Sequence, residues 1–97
     1  MEKVFYLNEL YDLYKDLLTS KQQRYFMDYY FNNLSYGEIA SKYKISRNAI
    51  YRQMKLIEDK LNYYEKCLNL YSKKQKINDI IAMIDKRDVK EELDSLF

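Results

Sequence analysis

With 97 residues, 47% of them hydrophobic and 33% charged, the chain is sized for one folded domain with a modest core. It has no histidine, which excludes a His-assisted nucleophile and a His-ligated metal, and its one glycine, Gly37, excludes a glycine-rich phosphate loop. The net charge of +2 is unevenly spread: residues 1–19 carry −2, 20–60 carry +4, 61–76 carry +3 and 77–97 carry −3. The middle of the chain is therefore the basic part, as a nucleic-acid footprint requires.

Zero prolines and a single glycine leave few breakers, so the sequence reads as all-α, a single helical domain over 1–97. Val4, Leu7, Leu10, Tyr11, Tyr14, Leu17 and Leu18 repeat at helical spacing and predict a first amphipathic helix. Thr19 with Gln22 three residues on forms a capping box, which starts a second helix near Ser20. That helix carries Tyr25, Phe26, Tyr29 and Tyr30 on one side and stops around Asn32 and Asn33. Ser35 with Glu38 is another capping box, opening a short third helix with Ile39, Ala40 and Tyr43 inward.

Ser46 offers the next N-cap. Beyond it Ile50, Met54, Ile57, Leu61, Tyr64, Leu68 and Tyr71 recur at alternating spacings of four and three. No breaker stands between Arg47 and Tyr71, so one long central helix of about 25 residues, roughly 37 Å, is predicted. A further segment from Ile77 to Ile84 is apolar at Ile77, Ile80, Ile81 and Ile84. Asp88 with Glu91 suggests a last capped turn or two ending at Leu96 and Phe97.

Residues 35–55 have the pattern of a helix-turn-helix: a capped helix of about eight residues, a three-residue turn and a second capped helix. Ala40 is small where the two helices would cross closely. Ile39, Tyr43, Ile45, Ile50 and Met54 are expected to fill the wedge between them. With Ile50 and Met54 inward, the opposite face of the second helix presents Arg47, Asn48, Tyr51, Arg52 and Lys55. These are the positions a recognition helix turns into the major groove. Arginine reads guanine and asparagine reads adenine there, while a tyrosine packs on a thymine methyl or bonds a phosphate. Ser46 leaves the helix's first N–H groups facing outward, and Ser35, Lys42 and Lys44 flank the site as phosphate contacts. Lys44 stands where such turns favour glycine, because the backbone there needs positive φ.

The segments Leu-Tyr-Asp-Leu-Tyr, Leu-Leu-Thr-Ser-Lys-Gln, Leu-Ser-Tyr-Gly-Glu-Ile-Ala, Ser-Arg-Asn-Ala-Ile-Tyr and Tyr-Glu-Lys-Cys-Leu-Asn-Leu-Tyr resemble the bacterial YlxM family over roughly residues 5–85. That resemblance implies a helix-turn-helix similar to region four of the sigma factors, and DNA binding linked to protein targeting through the signal recognition particle. Family members often carry glycine at the position of Lys44 and a longer, more acidic tail.

An enzyme reading is poorly supported. Cys67 lies beside Leu68 on the predicted long helix and reads as a structural or half-exposed thiol, alone and so without an internal disulfide. The carboxylate pairs Glu58-Asp59, Glu91-Glu92 and Asp12-Asp16 read as helix surface. Neither cofactor nor metal is expected. No apolar run approaches the roughly 20 residues that span a bilayer, and Met1–Leu10 lacks a signal-peptide pattern, so a cytoplasmic chain without membrane insertion is expected. Double-stranded DNA is the expected partner. The alternative is a non-catalytic module for the RNA or the GTPase of the signal recognition particle; separately, the basic stretch of Lys73, Lys74 and Lys76 is a candidate contact for an RNA or DNA backbone. The first helix is expected to pack on the long helix within one monomer; otherwise its apolar stripe would be the seam of a homodimer.

Overall fold

Local capping chemistry sets where the helices begin. The computed structural model describes residues 2–84 and 94–96. Helix α1 (Glu2–Tyr14) runs into a 3-10 turn, Lys15–Leu17, before α2 (Ser20–Tyr30). At the start of α2 the Gln22 N–H donates to Thr19 Oγ1 at 3.1 Å, and the Thr19 N–H donates to Gln22 Oε1 at 3.1 Å. Ser35 and Glu38 repeat this exchange at 3.1 and 3.0 Å ahead of α3 (Tyr36–Tyr43). Ser46 Oγ accepts the Ala49 N–H at 3.0 Å and opens α4 (Arg47–Leu68). All three caps satisfy first-turn donors that would otherwise lack partners. Among the described residues there is no strand, and no helix is long and apolar enough to cross a membrane.

Helix α4 is the element on which the others assemble. Its Ile50, Met54, Ile57 and Leu61 are fully buried against Leu7, Leu10 and Tyr14 of α1, Tyr25 and Phe26 of α2, and Ile39 of α3. Tyr11 of α1 stacks flat on Phe26, with ring centroids 4.3 Å apart and planes 3° from parallel. The expected packing of α1 on the long helix within one chain is therefore what the structure shows. Four positions of the predicted stripes fall outside the core: Val4, Leu17, Leu68 and Ile80 are exposed. Leu17 leaves the stripe because the 3-10 turn changes the angular step between residues.

The long helix is shorter than predicted. It ends at Leu68 after 22 residues, and a separate α5 (Leu70–Met83) follows, absorbing the segment expected to begin at Ile77. Asn69 makes the break, with φ 55° and ψ 30°, a left-handed conformation that asparagine tolerates better than most side chains. The donors freed by the break are met by buried groups. The Leu70 N–H donates to Tyr14 Oη at 3.0 Å, while those of Tyr71 and Ser72 donate to the Glu65 carboxylate at 2.9 and 3.1 Å. Tyr14 completes the cluster by donating to Glu65 Oε1 at 2.6 Å. A carboxylate at the first turn of α5 also suits the positive end of that helix's dipole. Burial, then the bond to Glu65, pushes the Tyr14 phenol up to about 12.

Helix α5 lies back along α1. Tyr71 meets Tyr6 edge to face at 5.0 Å, and Lys74 pairs with Glu9 at 3.9 Å. The turn expected at Asp88 and Glu91 lies outside the described residues.

Candidate nucleic-acid interface

Helices α3 and α4 are joined by Lys44, Ile45 and Ser46, three residues that turn the chain sharply. Lys44 adopts φ 57° and ψ 44°, the left-handed conformation expected of that position. In it the Lys44 and Ile45 N–H groups both donate to the Ala40 carbonyl, the latter at 3.0 Å, and so close the end of α3. Lysine in this region costs on the order of 1 kcal/mol relative to glycine. Lys44→Gly is accordingly expected to stabilise the fold by about that much. Thermal or urea unfolding measures it, and an unchanged or lowered stability would contradict the strain.

The wedge between the two helices holds Ile39, Ile50 and Met54, each fully buried, with Ala40 6% exposed at the crossing. Tyr43 closes one side, edge to face with Tyr25 at 5.0 Å. Ile45, expected in the wedge, is instead 38% exposed: the left-handed Lys44 before it swings its side chain outward.

Burying Ile50 and Met54 leaves one face of α4 open. Arg47, Asn48, Tyr51, Arg52 and Lys55 are all exposed on it, with Ser46 at its head. The Arg47 and Asn48 N–H groups belong to the first turn and have no helical acceptor. Among the described residues, Lys44, Arg47, Arg52 and Lys55 form no ion pair with a carboxylate, so their charge faces outward uncompensated. Arg47, Asn48 and Tyr51 line a cleft of about 360 Å³ together with Tyr36 from the first turn of α3.

The flanking candidates differ from one another. Lys44 is exposed and forms no ion pair among the described residues. Ser35 is exposed, and its hydroxyl oxygen already accepts the Glu38 N–H. Lys42 is held by Asp28, with its ammonium 3.0 and 3.1 Å from the two carboxylate oxygens. It can reach a phosphate only by sharing that bond.

Asp28 is a buried charge that the sequence did not flag. It lies on α2 with its side chain 5% exposed and also accepts from Tyr43 Oη at 2.6 Å and Asn32 Nδ2 at 3.1 Å. Burial alone would raise its carboxyl. The bonds from Tyr43, Lys42 and Asn32 outweigh burial and hold it below the ordinary carboxylate range. A lowered acid contributes stability above its unfolded value and loses that contribution as pH falls through the folded value. The melting temperature is thus expected to drop as pH falls below about 4. Asp28→Asn should be less stable at neutral pH and lose less across that acid range. Parallel pH profiles for the two chains would contradict this assignment.

Sequence reasoning also passed over Tyr36, which borders the exposed face, and Glu65, which seats α5. Glu65 carried a signal: it falls four residues after Leu61, on the buried stripe.

Comparison with known proteins agrees with this geometry. A family model described as "Putative helix-turn-helix protein, YlxM / p13 like" (UPF0122) matches residues 1–96. A UPF0122 protein of Geobacillus sp. strain WCH70 is 47% identical over 84 residues, covering 87% of this chain and 76% of the relative. One from Halalkalibacterium halodurans is 38% identical over 100 residues, covering 99% and 92% respectively. One from Ureaplasma parvum is 41% identical over 91 residues, covering 94% and 92%. With α3, the turn and α4 arranged as that description requires, the chain belongs to the YlxM / p13-like helix-turn-helix family.

Proposed function

We propose that the chain is a non-catalytic DNA-binding regulator that acts in the cytoplasm and inserts the first turns of α4 into the major groove. One observation carries this reading: Ile50 and Met54 are fully buried while Arg47, Asn48, Tyr51, Arg52 and Lys55 share the exposed face opposite. In such a docking Arg47, Asn48, Tyr51 and Arg52 come nearest the base edges. Ser46 and the Arg47 and Asn48 N–H groups lie against a phosphate, with Lys44, Lys55, Ser35 and Lys42 along the backbone.

The test is a titration of the chain against duplex DNA at two salt concentrations. Each phosphate neutralised by a lysine or arginine contributes close to one unit of slope in log affinity against log salt. Lys44 and Lys55, the two backbone cations not held by a carboxylate among the described residues, lead to an expected slope of about −2. A flat salt dependence would overturn the docking. The RNA and the GTPase of the signal recognition particle, the partners the family resemblance implies, form the comparison arms. Retention of either, undisturbed by competing duplex, would replace DNA as the target.

A further inference from the structure

Beside the exposed face of α4, tyrosines from three helices meet in a single groove. Tyr30 of α2 stands edge-on to Tyr29 at 4.9 Å, Tyr29 lies obliquely on Tyr36 of α3 at 4.7 Å, and Tyr36 meets Tyr51 of α4 at 6.1 Å. The spaces these rings line adjoin one another, sharing side chains as walls. A cleft of about 390 Å³ shares Tyr36 and Tyr51 with the one at Arg47 and Asn48. It shares Tyr29 and Tyr30 with a third, of about 400 Å³, that reaches Asn33 and Ser35. Volumes of this size are those of small-ligand sites. The rings reach the groove half-buried, and Tyr51 is 57% exposed, so they are held by the core yet present surface to a ligand.

Charge in the groove is sorted by depth. Lys3, its side chain 79% exposed, and Lys55 stand at the rim. Glu58 sits lower, its side chain 19% exposed, accepting from Tyr30 Oη at 3.0 Å and lying 3.7 Å from the Lys3 ammonium. A cationic rim favours phosphates outside, while aromatic walls and a carboxylate floor favour flat rings with N–H edges inside. A mononucleotide unit of a strand has this polarity; a duplex, whose bases are already stacked, does not offer it.

We propose that this groove binds single-stranded nucleic acid, with unpaired bases against Tyr29, Tyr36 and Tyr51 and phosphates at Lys3 and Lys55. The groove adjoins the face at Arg47 and Asn48 through Tyr36 and Tyr51, so one ligand could enter as duplex along α4 and leave as a single strand along the tyrosines. The inference rests on the nucleic-acid reading above and adds the unpaired strand to it.

The experiment compares four ligands on the full chain: a blunt duplex, the same duplex with a single-stranded tail, that duplex with an abasic tail of equal length, and the tail strand alone. The tail is expected to tighten binding roughly tenfold, the yield of about one stacked base, and to quench tyrosine emission, which no tryptophan obscures. The abasic tail keeps the phosphates and should give little of this gain. Tyr29→Leu removes a flat ring while keeping apolar bulk, and Lys3→Gln alters an exposed side chain outside the helix-turn-helix. Tyr29→Leu should lose the gain from the tail and Lys3→Gln only a small part of it, while both bind blunt duplex as the parent does. If blunt and tailed duplex bind equally and without quenching, the groove assignment is wrong and the duplex reading stands. If neither binds and the tail strand alone is also ignored, both fall. Binding and quenching by the tail strand without any duplex binding would uphold the groove and overturn the duplex reading.

Discussion

Replacing Arg47 and Arg52 together by alanine is expected to weaken duplex binding by about two orders of magnitude, with the fold intact. Both side chains are exposed and neither is engaged by a carboxylate among the described residues, so truncation removes no packing and orphans no buried charge. What it removes is two planar donor forks from the face that Ile50 and Met54 leave open. A bidentate contact to guanine lost at one position should relax sequence preference there, whereas a lost phosphate contact should weaken all sequences alike. Competition between a specific and a random duplex separates the two, arginine by arginine. Unchanged affinity in the double variant, with an unchanged melting temperature, would mean that α4 does not face the duplex. Lys44→Gly complements this test, because it is expected to raise stability while removing one backbone cation.

Glu65→Leu is expected to cost about 2–4 kcal/mol, a large share of the stability of a domain this size. One carboxylate accepts three hydrogen bonds, from Tyr14 Oη and from the Tyr71 and Ser72 N–H groups. Leucine fills similar space but accepts none of them, so a buried phenol and two helix-start donors are left wanting. Glu65→Gln keeps one acceptor oxygen and should lie between the two. Amide hydrogen exchange should show the loss of protection concentrated in α5, whose first turn depends on this side chain, while α2 and α3 stay protected at the same temperature. A stable Glu65→Leu chain with full helix content would mean that α5 is seated by its contacts with Tyr6 and Glu9 alone.

What was legible in the sequence was local. Thr19 with Gln22 and Ser35 with Glu38 lie within one turn of each other, so spacing alone fixes the bonds they make. The turn was equally local: three residues between capped helices force a left-handed residue, and Lys44 is that residue. The division at Asn69 was hidden because the apolar rhythm continues across it through Leu68 and Tyr71, without glycine or proline to mark a stop. A single left-handed asparagine interrupts a helix without disturbing the pattern on either side, and one of the partners for the freed donors, Tyr14, lies far away in sequence. Asp28 was hidden for the same reason, since Lys42 and Tyr43 reach it only once α2 and α3 have packed. Of the exposed face of α4, its members could be read from periodicity, while its neighbour Tyr36 depended on how two helices meet.

Helix α4 is one unbroken rod that bears the exposed face of Arg47, Asn48, Tyr51, Arg52 and Lys55, the proposed recognition surface, at one end and the seat of α1 and α5 at the other. A stiff element shared in this way behaves as a lever. A tilt imposed at Arg47 must be carried by the whole body as rigid rotation, because no joint occurs before Asn69. Cys67, exposed and the chain's single thiol, rides the far end about 30 Å from Arg47 along the axis. A fluorophore attached there would report the angle at which the protein sits on its ligand without touching the surface that binds it.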